Sequence, residues 1–276
     1  MLTSNREVEK WLRERFKQEG EILEFDSWDD YFNRPSLFEQ IITTIEDDFK
    51  SQLTECRRSS AEQVLMTSKC FYEPFGDDEI SAEPRPQEKE HNLDLKINSS
   101  ILFFDIGHSY RSEKDNGGSS YNFESVKLIP EILKKLNEIE KVKNYSVGVI
   151  TGYKAQLRKL KNEIQKVKFQ NIKTNTDQFA ISVVDRFQGL EKDIIIFDLV
   201  RTGHDNSLGF LADEHRINVA LSRQKRLLII VGDYNGLLNS KSPRPNETDT
   251  KLQLYLRLLK SELKTNCIVT NINQVF

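Results

Sequence analysis

No glycine in this 276-residue sequence is followed by lysine, although there are 12 glycines. A phosphate-cradling loop of the type G-x-x-x-x-G-K-[ST] needs that pair, so the chain carries no recognisable nucleoside-triphosphate cradle of its own. Cysteine is equally scarce. Cys56, Cys70 and Cys267 form no C-x-x-C pair, which argues against a disulfide framework and against a zinc site. A reducing, intracellular setting, cytoplasmic or nuclear, is expected. No apolar run approaches the roughly 18 residues that cross a bilayer. Met1 to Gly20 is charged throughout and lacks the apolar centre of a secretory signal, so neither membrane insertion nor export is expected. Charge of one sign is also missing: 40 basic and 43 acidic residues leave a formal charge of −3 in a composition that is 37% hydrophobic. That balance suits a globular chain with a core of ordinary size, in one large or two small domains.

What is present begins with two helical patterns. Ser4 and Glu7 have capping-box spacing, Val8, Trp11, Leu12 and Phe16 recur at helical intervals, and Gly20 offers a stop. A second helix is expected from Pro35 through Phe38, Ile41, Ile42, Ile45 and Phe49, which form one apolar stripe. Between Glu73 and Asp94 the residues turn acidic, and Pro74, Pro84 and Pro86 interrupt any periodicity, which reads as a linker or extended loop. Beyond it, short β-branched runs alternate with helical stretches. The expected strands are Ile101–Ile106, Tyr145–Ile150, Ala180–Val184, Ile194–Leu199 and Leu227–Val231, with Cys267–Thr270 as a further candidate. Near-continuous apolar runs separated by helices predict an α/β fold, a parallel sheet flanked by helices. One helix is expected over Glu124–Lys143, beginning or kinking near Pro130, and another over Lys154–Lys168.

Three polar units interrupt this regular pattern. The first, Gly148-Val149-Ile150-Thr151-Gly152-Tyr153-Lys154-Ala155-Gln156, reads as a buried strand that delivers a hydroxyl, an aromatic ring, a cation and an amide to a strand-end loop. Seven basic residues against the single Glu163 follow between Lys154 and Lys173. Such a run is either a solvated face or a polyanion surface, and the neighbouring donors and ring favour the polyanion. The second unit, Val184-Asp185-Arg186-Phe187-Gln188-Gly189-Leu190-Glu191-Lys192-Asp193, is a short connection rich in polar groups, where Gly189 permits close approach and Glu191 can accept from a ribose. The third is Arg216-Ile217-Asn218-Val219-Ala220-Leu221-Ser222-Arg223-Gln224-Lys225-Arg226, with nothing acidic between its ends. On a helix, Arg216 and Arg223 share a face and need an anion, either a carboxylate of the fold or a phosphate. Asp105 and Asp198, which superficially resemble the magnesium-binding Asp of a Walker B strand, are read as residues that merely end buried strands.

Taken in this order, the three units resemble the C-terminal motor domain of superfamily 1 helicases, most closely the Upf/Sen-type branch. Weaker resemblance upstream, in Ser36-Leu37-Phe38-Glu39 and in Leu53 to Tyr72, extends it over most of residues 36–233. The resemblance implies a RecA-like P-loop NTPase fold without its own P-loop. Residues 1–72 would be a helical segment joining two motor domains, 73–98 an acidic linker and 99–276 the second RecA-like domain. It further implies ATP and Mg2+ in a cleft shared with a first RecA-like domain, present in cis or in trans, while this chain itself holds no metal. Arg223 and Arg58 would act on the phosphates, Gly189 and Glu191 would approach the nucleotide sugar, and Arg216 would support that side. Thr151, Tyr153, Lys154 and Gln156 would face single-stranded RNA or DNA. The sequence departs from the family in two places. Cys56-Arg57-Arg58-Ser59-Ser60-Ala61 stands where Gln-Tyr-Arg-Met-His-Pro is usual, and Gly152 replaces a frequent proline. These departures keep open a degenerate, non-catalytic module for nucleic-acid or protein binding, and a doubly wound enzyme for another phosphorylated ligand remains a third reading.

Overall fold

The computed structural model describes residues 55–72, 81–82, 90–107, 110–203, 208–241, 249–263 and 267–276. The expected helices over Ser4–Gly20 and Pro35–Phe49, the Ser36–Glu39 stretch and most of 73–98 lie outside them. The chain divides into two compact units, Met1–Gln52 and Leu53–Phe276. The described residues all belong to the second.

That unit opens with the short strand β1 (Glu55–Cys56) and helix α1 (Ala61–Thr67), which runs into a π-helical turn over Ser68–Tyr72. β2 (Ser81–Ala82) pairs with β1 in parallel. β3 (Ile101–Asp105) is followed by a small hairpin of β4 (Glu113–Lys114) and β5 (Ser120–Tyr121), and then by α2 (Phe123–Glu138). The chain continues through β6 (Val147–Thr151), α3 (Lys154–Ile164), β7 (Phe179–Val183) and β8 (Lys192–Asp198). It closes with α4 (Glu214–Leu221), β9 (Gln224–Gly232), α5 (Tyr234–Leu238), α6 (Lys251–Ser261) and β10 (Ile268–Val269). Six strands form one parallel sheet in the order β10-β3-β9-β8-β6-β7. Each expected apolar run, Cys267–Thr270 included, supplies one of them.

Successive side chains of a strand point to opposite faces, and both faces of this sheet are covered. Leu102, Phe104, Val149 and Ile196 pack with Ile129, Leu133 and Leu160 of α2 and α3. Ile101, Phe103, Ile195 and Ile230 pack on the other side with Ile217, Leu221, Tyr255 and Leu256 of α4 and α6. Met66, Cys70 and Phe71 join this second cluster. Residues 55–72, read from sequence as part of a separate joining segment, therefore supply core to the same unit as the sheet. α2 begins at Phe123, seven positions before Pro130, because Asn122 caps it: its Oδ1 accepts from Glu124 N at 2.9 Å and from Ser125 N at 3.3 Å. The helix runs on through Pro130 and does not begin there. α3 ends at Ile164, short of the expected Lys168.

Because every strand runs the same way, strand starts line one edge of the sheet and strand ends line the other. Lys192 of β8 pairs with Gln224 of β9 at the amino edge, and Thr151 of β6 pairs with Asp198 of β8 at the carboxyl edge.

Candidate functional site

At the amino edge, the residues between β1 and α1 are pinned to the strand starts. Ser59 Oγ donates to Gln224 O at 2.6 Å, Ser60 caps α1 and donates to Ser100 Oγ at 2.8 Å, and Gln63 Nε2 donates to Ser100 O at 2.8 Å. This anchoring aims Arg58 at the loops before β8 and β9. Its Nε donates to Glu191 Oε2 at 2.9 Å and its Nη1 to Ser222 O at 3.0 Å, although Ser222 lies 164 positions along the chain. Lys225 Nζ lies 2.8 Å from the other oxygen of Glu191. Those hydrogen bonds, from Lys225 and then Arg58, hold the Glu191 carboxyl below its ordinary range. Arg223 sits beside this cluster, its Nε on Val219 O at 3.1 Å and its Nη2 on Ser222 Oγ at 3.0 Å. Among the described residues it makes no ion pair. Burial, and secondly the like charge of Arg58, lower its pKa from the ordinary value. Arg58, Glu191, Ser222, Arg223 and Tyr72 line one cleft of about 650 Å³. Three cations around one carboxylate leave it an excess of positive charge, so the cleft suits a polyanion.

Arg216 is not in this cleft. It lies 3.1 Å from Asp185 Oδ1 and 3.5 Å from Asp213 Oδ2, with its guanidinium over the Phe210 ring. α4 ends at Leu221, so Arg223 is already beyond the helix and the expected shared face with Arg216 does not form. Of the two anion sources left open by the sequence, Arg216 takes the carboxylate. Gly189 has a positive φ of 83°, which glycine adopts without strain, and stands exposed in the loop that leads to Glu191.

The carboxyl edge is built differently. Lys154 is exposed at the start of α3, and the half-buried Tyr153 ring lies against Phe210 with centroids 6.0 Å apart. Thr151 and Gln156 are fully buried, which corrects the expectation that they face a strand. Gln156 Oε1 accepts from Asn122 N at 2.8 Å while its Nε2 donates to Ser125 Oγ and to Asp198. It therefore ties the first turn of α3 to the end of β8. Burial pushes the Asp198 carboxyl up to about 7, against the opposing hydrogen bonds from Gln156, Ser125 and the Val200 N–H. Val200, two positions on, holds a φ of 67°, an uncommon conformation for a β-branched residue. Its N–H donates to Asp198 Oδ1 at 3.1 Å and its carbonyl accepts from Asn122 Nδ2 at 3.3 Å. A Cβ at Gly152 would overlap the Phe210 ring, so that ring fills the space at the position where the family often has proline.

Asp198 and Asp105 do end buried strands, and Asp105 Oδ1 accepts from Gly107 N at 3.0 Å and from Tyr234 N at 3.1 Å. Sequence reasoning missed Asn122 and Phe210, and it named Lys225 in the third unit without giving it a role. Asn122 had a readable signal, an N-cap residue immediately before a helix. Lys225 and Phe210 had none, since their roles depend on loops distant in sequence. Among the described residues no three or more His, Cys, Asp or Glu side chains group as a metal site, and no helix is long and apolar enough to cross a membrane.

A family model described as an AAA domain matches residues 33–235. The DNA polymerase alpha-associated DNA helicase A of Saccharomyces cerevisiae is 36% identical over 153 residues, covering 54% of this chain and 21% of that protein. Helicase sen1 of Schizosaccharomyces pombe is 35% identical over 176 residues, 62% of this chain and 10% of that protein. The regulator of nonsense transcripts 1 of Dictyostelium discoideum is 30% identical over 217 residues, 75% of this chain and 15% of that protein. The chain thus spans between a tenth and about a fifth of the length of these relatives.

Proposed function

Since the chain belongs to the AAA domain family and is a RecA-like domain of the Upf/Sen-type superfamily 1 helicases, we propose that it supplies the arginine side of an interdomain ATP site and a track for single-stranded RNA or DNA. One observation carries the nucleotide half of this reading: Arg58 and Arg223, drawn from distant parts of the chain, meet Glu191 in a single cleft at the amino edge. The cleft fits the phosphates of ATP. Arg223 is partly desolvated and pairs with no carboxylate among the described residues, so an incoming phosphoryl oxygen gains a charge-assisted hydrogen bond without displacing an ion pair seen there. Arg58 binds a neighbouring oxygen once it releases Glu191, and the freed carboxylate accepts from the ribose hydroxyls. Arg216 braces the loop from Asp185 instead of touching phosphate. Magnesium, when bound, would neutralise phosphate charge, and its ligands and the P-loop would come from a first RecA-like domain in cis or in trans.

At the carboxyl edge, Lys154 takes a strand phosphate and the Tyr153 loop sets its position. Thr151 and Gln156 hold that loop from beneath. An intracellular setting belongs to this reading, in keeping with the free, buried thiols of Cys70 and Cys267, which burial pushes up to about 12 and about 11.

The test is reconstitution with a P-loop domain of the same branch. Strand-stimulated ATP hydrolysis should be absent from the chain alone and restored by the mixture, and Arg223→Ala should abolish it. Hydrolysis by the chain alone, lost in Arg223→Ala, would mean that a complete site exists here. The altered Cys56–Ala61 stretch favours a non-catalytic binding module, and a folded mixture that binds strand but never hydrolyses ATP would decide for it.

A further inference from the structure

An aromatic patch beside the strand-facing loop lies outside both core clusters of the described residues. Phe123 is the first residue of α2 and is 45% exposed, as is Tyr110. Phe123 meets Tyr121 of β5 edge to face, with ring centroids 5.1 Å apart at 84°. Lys159 of α3 reaches over both rings, its Nζ 4.0 Å from the Tyr121 centroid and 4.7 Å from that of Phe123. The hairpin that carries Tyr121 is fixed to the start of α3: Ser119 Oγ accepts from Ala155 N at 3.0 Å, and Arg158 pairs with Asp115. The rings are thus held against α3, the helix that Lys154 begins.

The charges around the patch point to its ligand. Glu113 is occupied by the Tyr121 hydroxyl at 2.6 Å, Glu124 by Lys127 at 2.9 Å, and Asp115 by Arg158. Among the described residues Lys154 and Lys159 make no ion pair. Exposed rings backed by cations, with the nearby carboxylates already engaged, suit a flat, anion-bearing ligand that stacks and is neutralised at once.

We propose that Phe123 and Tyr121, backed by Lys159, form a base-stacking platform for single-stranded nucleic acid, adjoining the Tyr153–Lys154 loop. This rests on the strand-binding reading above and assigns it a second, base-contacting site. Lys159 meets the backbone phosphate of the stacked nucleotide, and the exposed part of Phe123 meets the base. Every base has a π face, so the platform selects neither sequence nor sugar.

The experiment is fluorescence anisotropy of the full chain with labelled oligo(dT) and oligo(rU) over a salt series, with Phe123→Leu, the double variant Phe123→Leu/Tyr121→Leu, and Tyr121→Phe. Leucine keeps apolar bulk and removes the ring. Phe123→Leu should weaken both oligonucleotides roughly tenfold with an unchanged salt slope, and Tyr121→Phe should bind as the unaltered chain does. Cross-links from 5-iodouracil-containing strands to the unaltered chain should map to Phe123 or Tyr121, a readout that needs no variant to fold. Equal binding by the double variant, with cross-links elsewhere, overturns the platform and leaves strand binding standing. Loss confined to oligo(rU) overturns stacking in favour of a sugar contact. No binding of either oligonucleotide by the unaltered chain at low salt removes the strand-binding reading itself, and the platform with it.

Discussion

The amino and carboxyl edges of the sheet are built from the same strands, yet they treat polar groups in opposite ways. At the amino edge Arg58 and Arg223 line an open cleft with the carboxylate of Glu191, which Arg58 and Lys225 both hold. At the carboxyl edge Thr151, Gln156 and Asp198 are fully buried, with Gln156 and Asp198 joined in one hydrogen-bonded network. Charge left in excess can be given to a ligand, whereas buried groups satisfied by one another can only hold a shape. Under the proposed function, binding at the carboxyl edge falls to the residues carried above the network, Lys154 and Tyr153, and the network sets where they stand.

The sharpest way to break this division is Arg223→Ala in the reconstituted motor. If Arg223 stabilises phosphoryl transfer as proposed, its loss should lower hydrolysis about 10³-fold or more, and strand affinity measured by anisotropy should stay within about twofold, because the proposed strand contacts lie at the other edge. A parallel loss of strand affinity would show that the two edges do not act separately.

The second test concerns Asp198. Its folded pKa of about 7 lies above the ordinary 3.8, so over that window the folded chain holds a proton that the unfolded chain has released. Its contribution to stability is full below the ordinary carboxylate range and is lost as pH rises through about 7. Denaturant melts between pH 5 and pH 8 should show stability falling by on the order of a few kcal/mol, and Asp198→Asn should flatten that slope. A slope equal in both chains would mean that Asp198 is ionised and solvated at its site.

Next comes a pair two positions apart. Gln156→Ala should cost about 2 kcal/mol of stability, because Asn122 N–H, Ser125 and Asp198 each lose a buried partner. Lys154→Ala should leave stability unchanged, weaken all strands alike and reduce the salt slope by about one. If Gln156→Ala instead altered binding without altering stability, the expectation that it faces the strand would be restored.

Much of this contrast was legible beforehand. The six strands follow from local apolar runs, and Glu191 and Arg223 stand in two of the polar units, but only the family resemblance put them with Arg58 at one nucleotide site. The burial of Thr151 and Gln156 was not legible. Whether a polar residue after a strand faces solvent depends on what covers it, and here the cover is Asn122 and the β4–β5 hairpin, more than 30 positions upstream. The shared face expected of Arg216 and Arg223 failed for a related reason. A seven-residue spacing implies a shared face only while the helix continues, and α4 stops at Leu221.

The smallest expected effect tests whether the amino edge is a binding site or only an ion-pair cluster. Lys225 and Arg58 hold the Glu191 carboxyl below its ordinary 4.5, so its contribution to stability is present above that value and is lost as pH falls through the lowered one. The side chain is 42% exposed, and solvent screening limits the contribution to less than about 1 kcal/mol. Glu191→Gln should therefore hardly move the melting curve at pH 7, yet it frees Arg58 and Lys225 from their shared anion. Calorimetric titration with inorganic tripolyphosphate should show tighter binding in Glu191→Gln, because no carboxylate then has to be displaced. ATP should gain less, since the ribose loses its strongest acceptor. A large drop in stability together with unchanged tripolyphosphate binding would place the amino edge in the same class as the buried network at the carboxyl edge, as structure that shapes the domain and contacts no ligand.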